Sequence, residues 1–97
     1  MATYISLVKF TQQGLAAIKE SPKRLDAARK AFEQAGVKIK DFYLVLGKYD
    51  IVIVVEAPND EAVTKVSLML GSQGNVKTTT QRAFTEAEYR KLIGSLP

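Results

Sequence analysis

The sequence predicts an α+β domain with element order β-α-β-β-α-β and one further helix at the C-terminus. Three observations carry this. Runs rich in Val, Ile, Tyr, Phe and Thr occupy 3–10, 40–46, 49–56 and 76–83. Between them lie stretches whose apolar residues repeat at helical spacing. Gly and Pro then punctuate the boundaries.

The first strand ends at a polar break, where Thr11 is positioned to cap a helical stretch over 12–19. Ser21-Pro22 restarts the helix, Ser as cap and Pro at the first helical position. Leu25, Ala28, Phe32 and Ala35 form its apolar face, and Gly36 ends it in a left-handed conformation. Gly47-Lys48 supplies a tight turn between the second and third strands. After Pro58, Asn59 caps a helix with Asp60 and Glu61 in its first turn, where the helix dipole favours them. Its buried stripe is Ala62, Val63, Val66, Met69 and Leu70, and Gly71-Ser72-Gln73-Gly74 reads as a loop. The last helix opens on a Thr85/Glu88 capping box and a Phe84/Tyr89 hydrophobic staple. Its apolar stripe is Tyr89, Leu92, Ile93 and Leu96. This order is the ferredoxin-like split-βαβ arrangement, and it spans the chain from 1 to 97 as a single domain.

Composition narrows the function classes. The chain has 97 residues, 46% of them hydrophobic, enough for a modest core. It has no Cys, which excludes disulfides, thiolate nucleophiles and iron–sulfur ligation. It has no His, which removes the commonest general base, metal ligand and haem ligand. No metal site and no cofactor are expected. No apolar run reaches membrane-spanning length and no signal peptide opens the chain, so a cytoplasmic location is expected. The net charge is +4, concentrated in a stripe from Lys19 to Lys40 that reads as a solvated helix face. Gly71-Ser72-Gln73-Gly74 lacks the Lys-Ser/Thr of a phosphate loop. The third strand lacks the basic, Gly and aromatic pattern of RNA-recognition folds, so nucleic acid is not an expected partner.

The strands are apolar on both faces. Ile51, Ile53 and Val55 oppose Val52 and Val54; Phe42, Leu44 and Leu46 oppose Tyr43 and Val45; Ile5 and Leu7 oppose Tyr4, Val8 and Phe10. Two helices cover only one face, so the other must meet something else. A second copy packed sheet to sheet is the simplest candidate, making the chain a homodimer or larger. The competing arrangement folds the terminal helix back over that face.

Gly47-Lys48-Tyr49-Asp50 resembles the motif that names the GYD domain family. Lys9-Phe10-Thr11-Gln12-Gln13-Gly14, Glu56-Ala57-Pro58-Asn59-Asp60 and Gly74-Asn75-Val76-Lys77-Thr78 are also similar to that family's pattern, in order along the chain. Asn59 stands where an aspartate is expected, and both residues can cap a helix. The resemblance implies a dimeric α+β barrel. It does not imply a defined reaction.

Asp50 is the leading functional candidate, a carboxylate at the start of a very apolar strand. It is either a base or ligand anchor, or a structural group tying down the hairpin or pairing with a cation such as Arg24. Tyr49 and Tyr43 on adjoining strands, with Tyr4, could orient a polar substrate or fill a core edge. Thr11 with Gly14 could form a small anion site or a plain cap. The expected function is small-molecule binding or assembly as a homo-oligomer without catalysis, with a pocket near Asp50, Tyr49 and Arg24. The alternative is a cofactor-independent monooxygenase-like or isomerase-like enzyme with Asp50 as base and a tyrosine as acid.

Overall fold

The computed structural model describes residues 1–97. Its elements are β1 (Ala2–Phe10), α1 (Gln12–Ala16), α2 (Ser21–Gln34), β2 (Lys38–Leu44), β3 (Ile51–Ala57), α3 (Asp60–Ser72), β4 (Val76–Ala83) and α4 (Glu86–Gly94). The four strands form one antiparallel sheet in the order β2-β3-β1-β4. With α2 and α3 on one face, this is the ferredoxin-like α+β fold.

Alternation of side chains sorts each strand between two faces. Tyr4, Ser6 and Val8 of β1 and Ile51, Ile53, Val55 and Ala57 of β3 are buried on the helix side. Phe32 of α2, Val63 and Val66 of α3, and Val37 complete that core. Val37 follows Gly36, whose φ of 78° turns the chain out of α2 and straight into the sheet. A bulge between Ile39 and Asp41 keeps Ile39 and Phe42 packed against the core despite their odd spacing.

Several boundaries differ from the sequence reading. The pairing of β2 begins at Lys38 and ends at Leu44, and β3 begins at Ile51. Tyr49 and Asp50 therefore precede the strand, and the β2–β3 connection spans 45–50 rather than a two-residue turn. The Val45 amide closes it by donating to the Asp50 carbonyl at 2.8 Å. The helical stretch after Thr11 breaks into α1 and a 3₁₀ turn, Ile18–Glu20. Ser21 does not cap α2: its amide donates to the Ile18 carbonyl, so the 3₁₀ turn runs directly into the helix. Gly71 and Ser72 extend α3, and the reversal waits for Gly74, at φ 79°.

One close approach fixes the geometry of the sheet end. A Cβ on Gly14 would lie 2.1 Å from the Asn75 carbonyl oxygen. Gly14→Ala should cost about 1–3 kcal/mol in urea unfolding, because backbone must shift to admit the methyl group. Gly71→Ala, where nothing lies within 4 Å, should be stabilising by about 0.5–1 kcal/mol in the same assay.

Tyr4 links β1 to α3. Its ring is buried, and its hydroxyl donates to Asp60 Oδ1. That hydrogen bond, burial and the negative charge of Asp60 raise the phenol above its ordinary value of 10.0, against the opposing pull of Arg82. The raised group contributes stability that is intact below pH 10.0 and is lost as pH rises through the folded-state value. Urea midpoints measured across the alkaline range should fall above pH 10.0, and Tyr4→Phe should flatten that fall.

Candidate functional site

The motif residues meet at one end of the sheet. The Asp50 amide donates to the Val8 carbonyl at 2.9 Å, extending the β1–β3 ladder by one rung. The Asp50 carboxylate then accepts from the Phe10 amide at 2.9 Å. Thr11 caps α1 by accepting from the Gly14 amide at 3.1 Å, and its hydroxyl donates to the Gly74 carbonyl at 2.5 Å. Its backbone amide donates to the Asn75 carbonyl at 3.0 Å. Gln13 adds bonds to the Gln73 carbonyl and the Asn75 side chain, each 3.0 Å. The β1–α1 junction is thus stitched to β3 on one side and to the α3–β4 turn on the other.

Arg24 does not pair with Asp50. Its guanidinium donates to the Ala17 carbonyl at 2.9 Å and the Gly14 carbonyl at 3.3 Å, bracing the path from α1 into α2. Arg24 does line a cavity of about 70 Å³ between α2 and the sheet. The walls are mainly apolar, with Phe10, Leu25, Phe32, Phe42 and Ile51 among them, and Gln73 and Asn75 add polar groups to the lining. Asp50, Tyr49, Tyr43 and Thr11 do not line it. Tyr49 is partly buried under the Lys48 ammonium, 5.8 Å from the ring centroid. Tyr43 is 57% exposed on the opposite face of the sheet. The proposed constellation of Asp50, Tyr49 and Arg24 is therefore dispersed between a structural junction, a loop and a cavity wall.

The face of the sheet away from the helices is open. Register places Ile5 and Leu7 of β1 beside Val54 and Val52 of β3, with Tyr43 of β2 next to Val52. This apolar strip is flanked by Lys38, Asp41 and Glu56 toward β2, and by Lys77, Thr79 and Gln81 on β4. The terminal helix does not cover it. The α4 helix carries the full capping box, with the Thr85 amide donating to Glu88 at 2.8 Å and the Glu88 amide to Thr85 at 3.2 Å. Yet none of its residues is buried, and Tyr89, Leu92, Ile93 and Leu96 are all about half exposed or more. Phe84 does not bury itself with Tyr89 either; the Arg82 guanidinium stacks on its ring at 4.5 Å.

The family model for the GYD domain matches residues 4–93. The chain belongs to the GYD domain family. A relative from Thermus thermophilus, named glutamine synthetase and cystathionine beta-lyase binding protein, is 37% identical over 89 residues. The match covers 91% of this chain and 94% of the relative. For this GYD domain, three of the four family-like segments build the sheet-end junction: Asp50 of the naming motif holds Phe10, and Thr11 and Gln13 hold Gly74 and Asn75, while 56–60 lies at the other end of β3.

Sequence reading missed two groups of residues. Gly14 against Asn75 is a contact between segments far apart in the chain, and no local signal marks it. The second group is a hydroxyl chain, Ser6 to Thr80 at 2.9 Å and Thr80 to Ser67 at 3.3 Å. A lone Ser inside an apolar strand, with a Thr78-Thr79-Thr80 run elsewhere, was the available clue.

Asp50→Ala should cost about 1–3 kcal/mol in urea unfolding, because the Phe10 amide loses its acceptor. Asp50→Asn keeps an acceptor oxygen at that place, and its cost should stay below about 1 kcal/mol. Equal, large losses in both variants would instead indicate that the charge itself is required.

Proposed function

We propose that this GYD domain is a self-associating protein-binding module that does not catalyse a reaction. The open apolar strip of Ile5, Leu7, Val52 and Val54 is the observation that carries the proposal. Full burial of such side chains contributes on the order of 1.5–3 kcal/mol each. A symmetric sheet-on-sheet pairing of two copies brings the strip against itself, as the dimeric α+β barrel expectation requires. A nine-residue helix is marginal without tertiary contacts, and α4 has its apolar stripe exposed. On this reading α4 reaches across and docks on the second copy.

The printed name of the Thermus relative points to enzymes as binding partners of that protein. We carry this over as a working assignment: the assembled module docks on a metabolic enzyme in the cytoplasm, with glutamine synthetase the first to test. The cavity beside Arg24 supports a narrower second role, the binding of a small apolar molecule between α2 and the sheet. The alternative of a cofactor-independent enzyme draws no support from the candidate residues, because the Asp50 carboxylate is engaged by a backbone amide away from that cavity.

Sedimentation at micromolar concentration should give a dimer or larger. Leu7→Arg, which sets a charge in the strip, should give a folded monomer near 10.7 kDa. Removal of 85–97 should weaken association or solubility. A wild-type monomer at that concentration would refute self-association. Failure of the assembled protein to co-sediment with glutamine synthetase would remove that enzyme as the partner.

A further inference from the structure

A second depression lies on the other side of the helix layer, between α3 and the edge strand β4. It has a volume of about 430 Å³ and is lined by Tyr4, Asp60, Thr64, Ser67, Thr80 and Arg82, among others. Its chemistry differs from that of the cavity beside Arg24. The Ser67 and Thr80 hydroxyls in its lining bond to each other, and Thr80 bonds on to Ser6 behind it, so no buried polar atom is left unpartnered. Ser67 and Thr80 also line a small inner cavity that continues toward Val63 and Val66.

The lining holds one acid and one base. Asp60 accepts the Tyr4 hydroxyl on Oδ1, and Oδ2 has no protein donor. Arg82 spends Nη1 on the Thr3 and Ala83 carbonyls, while Nη2 has no protein acceptor. The two groups form no ion pair with each other. Tyr4 stands between them, with its hydroxyl on Asp60 and its ring 5.7 Å from the Arg82 guanidinium. A fixed spacer thus holds a free carboxylate oxygen and a free guanidinium edge apart in one groove.

We propose that this groove binds a small zwitterion of the α-amino acid class, with its carboxylate on Arg82, its ammonium on Asp60 and its side chain over the Ser67, Thr78 and Thr80 hydroxyls. A guanidinium edge suits a carboxylate in two-point geometry, and a carboxylate oxygen suits an ammonium. A simple anion would face Asp60 and a simple cation would face Arg82, so each is opposed by the charge that a zwitterion satisfies. The pocket requires only residues of one chain and is independent of the self-association reading.

Binding of the standard free amino acids, followed by calorimetry and by amide chemical shifts of the intact protein, tests this. At least one should saturate through the millimolar range and shift the amides of Ser67, Thr78, Thr80 and Arg82. Its N-acetyl derivative, which lacks the ammonium, and its methyl ester, which lacks the carboxylate, should each bind about tenfold more weakly. Arg82→Gln should remove the discrimination against the ester, and Asp60→Asn the discrimination against the N-acetyl form. Arg82→Lys should restore part of the first. No saturable binding by any free amino acid would overturn the proposal. So would shifts confined to residues beside Arg24, or derivatives that bind as well as the parent. The shift and derivative measurements use the unaltered protein, so the outcome stands even if a variant fails to fold.

Discussion

The end of β1 is where the fold is decided. This strand is central, paired with β3 on one side and β4 on the other. At Phe10 it must stop pairing with β3 and leave toward α1. Asp50 solves the problem with its backbone and side chain together. Its amide makes the last rung to Val8, and its carboxylate takes the Phe10 amide that would otherwise face no strand. One residue later, Thr11 fixes the exit by bonding across to Gly74 and Asn75. Chain segments distant in sequence are thereby clamped at one point, and Gly14 is the residue small enough to let them close. Three of the four family-like segments supply this clamp. The segments that identify the GYD domain are chiefly those that hold the β1 terminus, and their role here is geometric.

The layer count has a further effect. Helices occupy one side of the sheet, so the side chains that strand alternation sends the other way have no cover within the chain. The chain is also long for its mass, with principal extents of 52 × 31 × 18 Å, and α4 contributes no buried residue. Under the proposed self-association, the apolar strip and the capped but undocked α4 are the surfaces that a second copy would cover.

The sequence disclosed strand number, order and helix faces, because these depend on local periodicity. The Thr85 capping box was legible for the same reason: both partners lie within four residues. Boundaries failed where long-range pairing decided them. Tyr49 reads as strand by composition, but the register of β2 on β3 leaves it in the connection. Ser21-Pro22 reads as a cap, but the preceding 3₁₀ turn supplies the Ser21 amide with a partner. The candidate residues divided in the same way. Thr11 as a cap was a local inference and holds. A pairing of Asp50 with Arg24 depends on distant neighbours, and each side chain binds backbone instead. The Asp60–Tyr4 link spans 56 residues and has no local signature at all.

The bulge beside Lys40 bears on what the sheet does at its outer margins. An open sheet has two exposed edges, and a flat one recruits further strands without limit. On β2 the bulge twists the margin, and Lys38, Lys40 and Asp41 crowd it with charge. On β4, Lys77 and Arg82 flank the threonines. Contact through the broad face is left open while addition along the margin is discouraged. A margin built this way resists strand addition and keeps the sheet clear of fibre growth.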